Sequence, residues 1–269
     1  MEFKNKQFDG SYEVATIDIY NNNELFKGIL YYPPVSFPKP YPVIIYFHGF
    51  PQLFTLQELV KRYQYLLDYG YAFITFNFRG YRYSEGKVSI KSQVSDALKI
   101  TEFIETMASD NVFNPTNINI IAHDFGAYIA LILSSKIGIV NKLILISPIL
   151  DLKKHIYSND FPKTLSYINR FLPGNINGIQ NINDFIEYTK AELDNDEYQI
   201  ERFIKNLKYK KLKILIGEND KLTPISEVKK MINQIEIGSE LFIIENMDHD
   251  CVNENKLEIL NQEILDFFK

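Results

Sequence analysis

The chain has 269 residues, 46 % of them apolar and 23 % charged. That is a globular composition, long enough for one large core plus a modest insertion, and it excludes disorder and fibrous repeats. Twenty-nine Lys and Arg against 34 Asp and Glu leave a net charge of −5, so no basic stripe awaits a nucleic acid. The single cysteine, Cys251, excludes an internal disulfide framework and any Cys-built metal cluster. The N-terminal MEFKNKQFDG lacks the apolar core of a signal peptide, and no apolar run approaches ~18 residues. The expectation is a soluble, cytoplasmic protein that engages no membrane.

In chain order, Tyr12–Tyr20 and Leu25–Tyr32 alternate apolar with polar residues, as half-exposed strands do. The prolines of Tyr31–Pro42 end that opening hairpin. Val43–Phe47 (VIIYF) is short and continuously apolar, the mark of a strand buried on both faces of a parallel sheet. The pattern then alternates: helix Gln57–Leu67, strand Ala72–Asn77, helix Ser89–Met107, strand Ile118–Ala122, helix Phe125–Ser135, strand Lys142–Ser147. Such alternation specifies a parallel sheet wound by right-handed crossovers. From about Asp151 to about Lys211 it stops. That stretch is polar and tyrosine-rich, with helical fragments near Phe161–Phe171 and Asn183–Leu193 and no buried-strand signal. It resumes with strand Lys213–Gly217, helix Ile225–Ile235, strand Leu241–Glu245 and helix Lys256–Phe268. The expected organisation is an α/β core built from residues 1–150 and 212–269, with 151–211 as a small helical lid.

The segment Ile121-Ala122-His123-Asp124-Phe125-Gly126-Ala127 lies at a strand-to-helix junction. Small residues two positions either side of a central residue permit a sharp, strained turn that presents that residue's side chain. Here the small residues are Ala122 and Gly126, and the presented residue is Asp124. The bland alternative is that Asp124 merely caps the helix beginning at Phe125. Three further features, in the right order, favour the elbow. His48-Gly49-Phe50-Pro51 follows VIIYF, where a backbone N–H, with that of Phe125, can form an oxyanion hole. Gly217-Glu218-Asn219-Asp220 follows LKILI and places an acid at the carboxyl edge of the sheet. His249 alone of the four histidines follows the last strand.

These residues resemble the α/β-hydrolase superfamily over nearly the whole chain, including the Asn77–Gly86 segment NFRGYRYSEG. The resemblance implies an α/β-hydrolase fold with a mostly parallel central sheet, helices on both faces and a helical lid. It also implies Asp124 as nucleophile, His249 as general base, Asp220 as its orienting acid, and the Phe50 and Phe125 amides as the oxyanion hole. HGFP with HDFGA looks most like the epoxide-hydrolase and dehalogenase branch, whose nucleophile is aspartate. The two leading strands and the Asn111–Asn117 approach look like lidded esterases and acyl-peptidase-like hydrolases. Ala122 and Ala127 stand where many relatives have glycine, and Arg82 replaces the second glycine of the RGxGxS pattern.

An aspartate is already ionised at neutral pH. Its attack on a carboxylic ester would expel an alkoxide to form a mixed anhydride, an uphill step. Attack on a saturated carbon bearing a leaving group gives a stable alkyl ester that His249 and water can hydrolyse. The dehalogenase branch typically holds a halide with indole N–H donors, and this chain has no tryptophan. The haloacid branch places arginines after the nucleophile, where Phe125 and Tyr128 stand. Epoxide opening in the superfamily uses lid tyrosines, which makes Tyr157, Tyr167, Tyr188 and Tyr198 substrate-binding candidates together with His48. The expectation is an epoxide-hydrolase-like enzyme for a small apolar molecule, with no metal or cofactor. Two alternatives stand beside it: an acyl hydrolase relative with its elbow serine replaced, and a ligand-binding homologue without catalysis.

Overall fold

The computed structural model describes residues 7–235 and 238–269. Most of MEFKNKQFDG, residues 1–6, lies outside them. The elements are β1 (Gln7–Asp9), β2 (Tyr12–Asn21), β3 (Glu24–Tyr31), β4 (Tyr41–Phe47), α1 (Leu56–Tyr63), β5 (Ala72–Asn77), α2 (Ile90–Ser109), β6 (Phe113–His123) and α3 (Phe125–Lys136). There follow β7 (Val140–Ile146), α4 (Leu152–Ile156), α5 (Phe161–Phe171), α6 (Ile182–Leu193), α7 (Ile200–Phe203), β8 (Tyr209–Gly217), α8 (Ile225–Ile232), β9 (Ser239–Ile244) and α9 (Glu254–Phe268). The strands form one sheet in the order β1-β2-β3-β5-β4-β6-β7-β8-β9. The hairpin strands pair antiparallel up to β3 against β5, and every pair from β5 to β9 is parallel.

Period-two side-chain geometry divides the core into two layers. Val43, Ile45 and Phe47 face one apolar cluster with α2, α3 and α8, while Ile44 and Tyr46 face another with α1 and α9. Both faces are covered, and this is why the central strands carry uninterrupted apolar runs. Reciprocal caps fix the starts of two helices. Thr55 and Glu58 form a reciprocal capping box on α1, and Ser89 and Ser92 do so on α2.

Several boundaries differ from the sequence expectation. The helix expected over Gln57–Leu67 is α-helical only to Tyr63, then tightens into a 3-10 segment, Gln64–Tyr69, that Gly70 ends at φ 86°. β6 starts at Phe113, five residues before Ile118. Its early residues, Asn114 to Asn117, are polar but for Pro115, and a register shift separates Phe113 from the buried ladder. β8 likewise starts at Tyr209, where Lys210 and Lys211 conceal a strand at the open end of the sheet. The helical fragments of the excursion appear as α5 and α6. The five-residue α4 and four-residue α7 are too short to show a period, and β1 has only three residues, all exposed.

The excursion is fastened to the core by a buried carboxylate. Glu192 on α6 accepts hydrogen bonds from the Ile90 and Lys91 amides at 2.8 and 3.0 Å, at the start of α2. Those amides are unpaired within the helix, and the helix N-terminus favours negative charge.

Candidate active site

Asp124 connects β6 to α3 with φ 53° and ψ −121°, outside the region ordinary side chains prefer. The surrounding backbone holds it there. Its N–H donates to Ile146 O at 3.0 Å, and its carbonyl accepts from Ala127 N at 3.1 Å and Ile149 N at 3.3 Å. Such a bend needs a small residue two positions on. A Cβ at Gly126 would lie 2.4 Å from His48 O and 2.5 Å from Phe47 O. Gly49 is equally confined, because a Cβ there would meet Asp124 Oδ2 at 2.5 Å. Asp124 makes no side-chain cap hydrogen bond to α3, so the capping alternative does not describe it.

Its two oxygens have separate partners. Oδ2 accepts the Phe50 N–H at 2.6 Å, and Oδ1 faces His249 Nε2 at 3.3 Å. On the far side of the ring, Nδ1 meets Asp220 Oδ2 at 2.9 Å. Asp220 Oδ1 is anchored in turn by the Leu222 and Thr223 amides, both at 2.9 Å. The three residues leave β6, β8 and β9 at their carboxyl ends, where an open parallel sheet collects its functional loops. A Cβ at Gly217 would lie 2.2 Å from Met247 O, and that close approach lets the β8 and β9 loops bring Asp220 to His249.

Burial alone would lower the imidazole's affinity for a proton. Hydrogen bonds and charge from Asp124 and Asp220 outweigh it and push the His249 pKa up to about 10. Burial also opposes ionisation of Asp124, yet the His249 hydrogen bond and charge, with His123 and the Phe50 amide, hold its pKa below the usual carboxylate value. Asp220 is lowered in the same way by His249 and its two amides, against its burial. The resting arrangement is an imidazolium between two carboxylates, Nδ1–H donating to Asp220 and Nε2–H to Asp124.

A cavity of about 40 Å³ is walled by Phe50 and Phe125, the neighbours of Asp124, from the core and by His155, Phe161 and Phe185 from the excursion; Asp124 itself is not in its lining. Phe50 and Phe185 stack within 8° of parallel at 6.3 Å. That volume holds only a few water-sized groups, so a ligand entering it is small or displaces the aromatic walls.

Four of the predicted contacts lie elsewhere. Tyr157, Tyr167 and Tyr188 are exposed. Lys190 sits over the Tyr157 ring at 4.6 Å, and Tyr167 packs on Phe171. Tyr198 is buried, but away from this cavity, with its carbonyl accepting the Tyr128 hydroxyl. His48 is a structural residue. It is 1 % exposed, its Nδ1 bonds Gly49 O at 2.9 Å and its Nε2 accepts the Phe78 N–H at 3.4 Å. Burial lowers its pKa to about 4, so it is neutral. Phe125 opens α3 beside the carboxylate and lines the cavity. Cys251 is buried, and burial raises its thiol pKa. Arg82 adopts φ 47°, the left-handed conformation in which its motif ordinarily carries glycine. The sequence reading missed His155. Its only signal was a histidine inside an otherwise tyrosine-rich excursion.

Fold and triad together define a hydrolase. Residues 42–179 match the model of the alpha/beta hydrolase fold family, and the chain belongs to that family. It is 29 % identical over 199 residues to the lysophosphatidylserine lipase ABHD12 of Gallus gallus, covering 72 % of this chain and 47 % of that protein. Its Danio rerio counterpart is 31 % identical over 143 residues, 52 % of this chain and 35 % of that one. The chain thus spans less than half the length of these relatives. Among solved structures, the Pyrococcus furiosus esterase PF2001 superposes with TM-score 0.70 at 18 % identity, covering 96 % of this chain and 90 % of the other. Est1E from Butyrivibrio proteoclasticus gives 0.67 at 15 %, covering 94 % and 96 %. At these identities the likeness is one of fold. No helix among the described residues is long and apolar enough to cross a membrane.

Proposed function

We propose that Asp124 is a working nucleophile and that the protein hydrolyses a small apolar substrate by displacement at a saturated carbon, as epoxide hydrolases do. One observation carries this reading: the elbow carboxylate has Oδ2 held by the Phe50 amide and Oδ1 turned to the imidazole. It is ionised and fixed, and the Phe50 whose amide holds it also lines the apolar cavity.

In the first step Oδ1 forms a bond to the substrate carbon while the carbon–oxygen bond of the epoxide breaks. The electron pair leaves with that oxygen, which then takes a proton from solvent. The product is an alkyl ester of Asp124. Its formation removes one of the two negative charges that keep His249 protonated, which lowers the ring's pKa, and the fraction that becomes neutral gives its proton to solvent. The base is thereby generated by the reaction itself. Neutral His249 then takes a proton from water as the water oxygen adds to the Asp124 carboxyl carbon. The Phe50 N–H, already on Oδ2, stabilises the oxyanion. Collapse returns that proton to the departing diol oxygen and leaves a water-derived oxygen in the carboxylate.

A second reading is favoured by the relatives, which are named lipases and esterases: an acyl hydrolase whose elbow hydroxyl has become a carboxylate. Two panels distinguish them, short terminal epoxides and short p-nitrophenyl esters, each assayed with the wild type and Asp124→Ser. Epoxide turnover by the wild type, lost in Asp124→Ser, is the expected result. Ester turnover that appears only in Asp124→Ser overturns it in favour of the second reading. Thermal stabilisation by these compounds with no turnover by either protein favours a binding role.

A further inference from the structure

The loop that follows β4 borders a second cavity, of about 470 Å³. Phe50 faces the excursion cavity while Gly49 and Gln52 face this one, and the two share no lining residue. Its volume is that of a small-molecule site, about 300–1,000 Å³. Leu53, Phe54 and Val252, all exposed, gather in its lining, and apolar side chains grouped in this way mark a contact surface. Two donors in the lining have no acceptor. Gln52 is 3 % exposed, and its Oε1 accepts the Phe54 N–H at 3.3 Å. That bond fixes the amide's orientation and leaves Nε2 buried with no hydrogen-bond partner among the described residues, a costly state unless a ligand supplies the acceptor. The other donor is Arg62 on α1, half-buried and without an ion pair among the described residues. Its guanidinium lies over the Phe54 ring at 4.8 Å. Phe54 thus ties the two donors together, its N–H to Gln52 and its ring to Arg62. Among the described residues Asp250 is the one carboxylate in the lining, and it is exposed, where solvent screens its charge.

We propose that this cavity is a binding site for a carboxylate with an unbranched apolar tail, its head held by Arg62 and the Gln52 amide and its tail laid against Leu53, Phe54 and Val252. The planar guanidinium fork matches a carboxylate's two oxygens, and the amide adds a third donor. One cation calls for one negative charge; a doubly charged phosphate would keep an unmatched charge beside Asp250. The site is distinct from the triad, since none of Asp124, Asp220 and His249 lines it, and it holds whatever chemistry Asp124 performs. His123 closes the cavity on the side of Asp124, near enough to Arg62 for that charge to act on its ring.

The chain has no tryptophan, so Leu53→Trp sets a single fluorophore in the cavity lining and leaves the triad untouched. Titration of this variant with decanoate, kept below its micelle-forming concentration, should give a saturable change in emission. Calorimetry on the wild type should find one decanoate per chain with a similar Kd. A hydrogen bond to a charged group is worth roughly tenfold or more in affinity. Arg62→Gln should therefore raise the Kd about tenfold or more, with a smaller rise in Arg62→Lys, which keeps the charge. Gln52→Glu keeps the acceptor for the Phe54 N–H but replaces the free donor with a like charge, and should raise the Kd at least as much. 1-Decanol, which has the tail without the charge, should bind about tenfold more weakly than decanoate. Thermal melting shows which variants are folded. No saturable binding of decanoate to either protein, decanol that binds as tightly, or a Kd left unmoved in folded Arg62→Gln or Gln52→Glu overturns the site. None of these results bears on the role of Asp124.

Discussion

Replacing Asp124 by asparagine removes one charge from the His249 site and keeps the shape of the side chain. This imitates what alkylation does to the carboxylate, so it asks directly whether the reaction generates its own base. At the 3.3 Å contact and an effective dielectric constant of about 20, Coulomb's law gives about 5 kcal/mol, or roughly 3.7 pKa units. Spreading each charge over two oxygens and over the ring cuts this to about half, near 2 units. The His249 pKa should drop from about 10 to roughly 8 in Asp124→Asn. The assay is an NMR titration of the His249 ring resonances in both proteins, with His48 as an internal control that stays neutral down to about pH 4. A His249 pKa that is the same in both proteins refutes the reasoning, because Asp124 would then contribute nothing to the proton held on the ring.

Other perturbations test single parts of the arrangement. Asp220→Asn leaves the nucleophile intact but misdirects the ring, so the Asp124 ester should form at its normal rate and hydrolyse about 100-fold more slowly; quenched-flow mass spectrometry would show the alkylated protein accumulating. Gly126→Ala pushes a methyl onto backbone oxygens at 2.4 and 2.5 Å and should cost about 1–3 kcal/mol in urea denaturation. Gly138→Ala, with no atom within 4 Å of the new Cβ, should be close to neutral. Stability should peak near pH 6.5. Below it, His48 is protonated in the unfolded chain but not in the fold until about pH 4, so stability falls as pH drops through that window. Above it, His249 keeps its proton in the fold up to about pH 10 while the unfolded chain has lost it, so stability falls as pH rises. Urea midpoints across pH should show both limbs, and Asp124→Asn should shorten the alkaline one.

Much of the architecture was legible because it depends on local signals. VIIYF is buried on both faces, and that alone forces its composition. Phe161–Phe171 appeared as a helix with the expected bounds, since its apolar stripe repeats every three to four residues. The elbow was readable because the bend itself dictates the sizes of its neighbours, as the Gly126 contacts show. Asp220 and His249 were readable because each follows a buried strand at its carboxyl end. The far wall of the cavity was not. α4 is a five-residue helix held by Asp151, whose carboxylate accepts the Lys154 N–H at 2.8 Å. No periodicity marks so short a helix, and His155 reaches the cavity only because the excursion folds back over the sheet. The exposed tyrosines illustrate the same limit: a residue type suited to a task does not say which way the chain turns it. Arg82 shows the converse, since the turn keeps its left-handed backbone even with the glycine gone.

The most direct measurement follows a single turnover of 1,2-epoxybutane, with enzyme in excess, in water enriched in oxygen-18. If Asp124 attacks the substrate, its own oxygen leaves in the diol and solvent oxygen replaces it, so the peptide containing Asp124 gains 2 Da while the first diol carries no label. Diol that carries the label, released from a protein whose Asp124 peptide is unchanged in mass, contradicts the account.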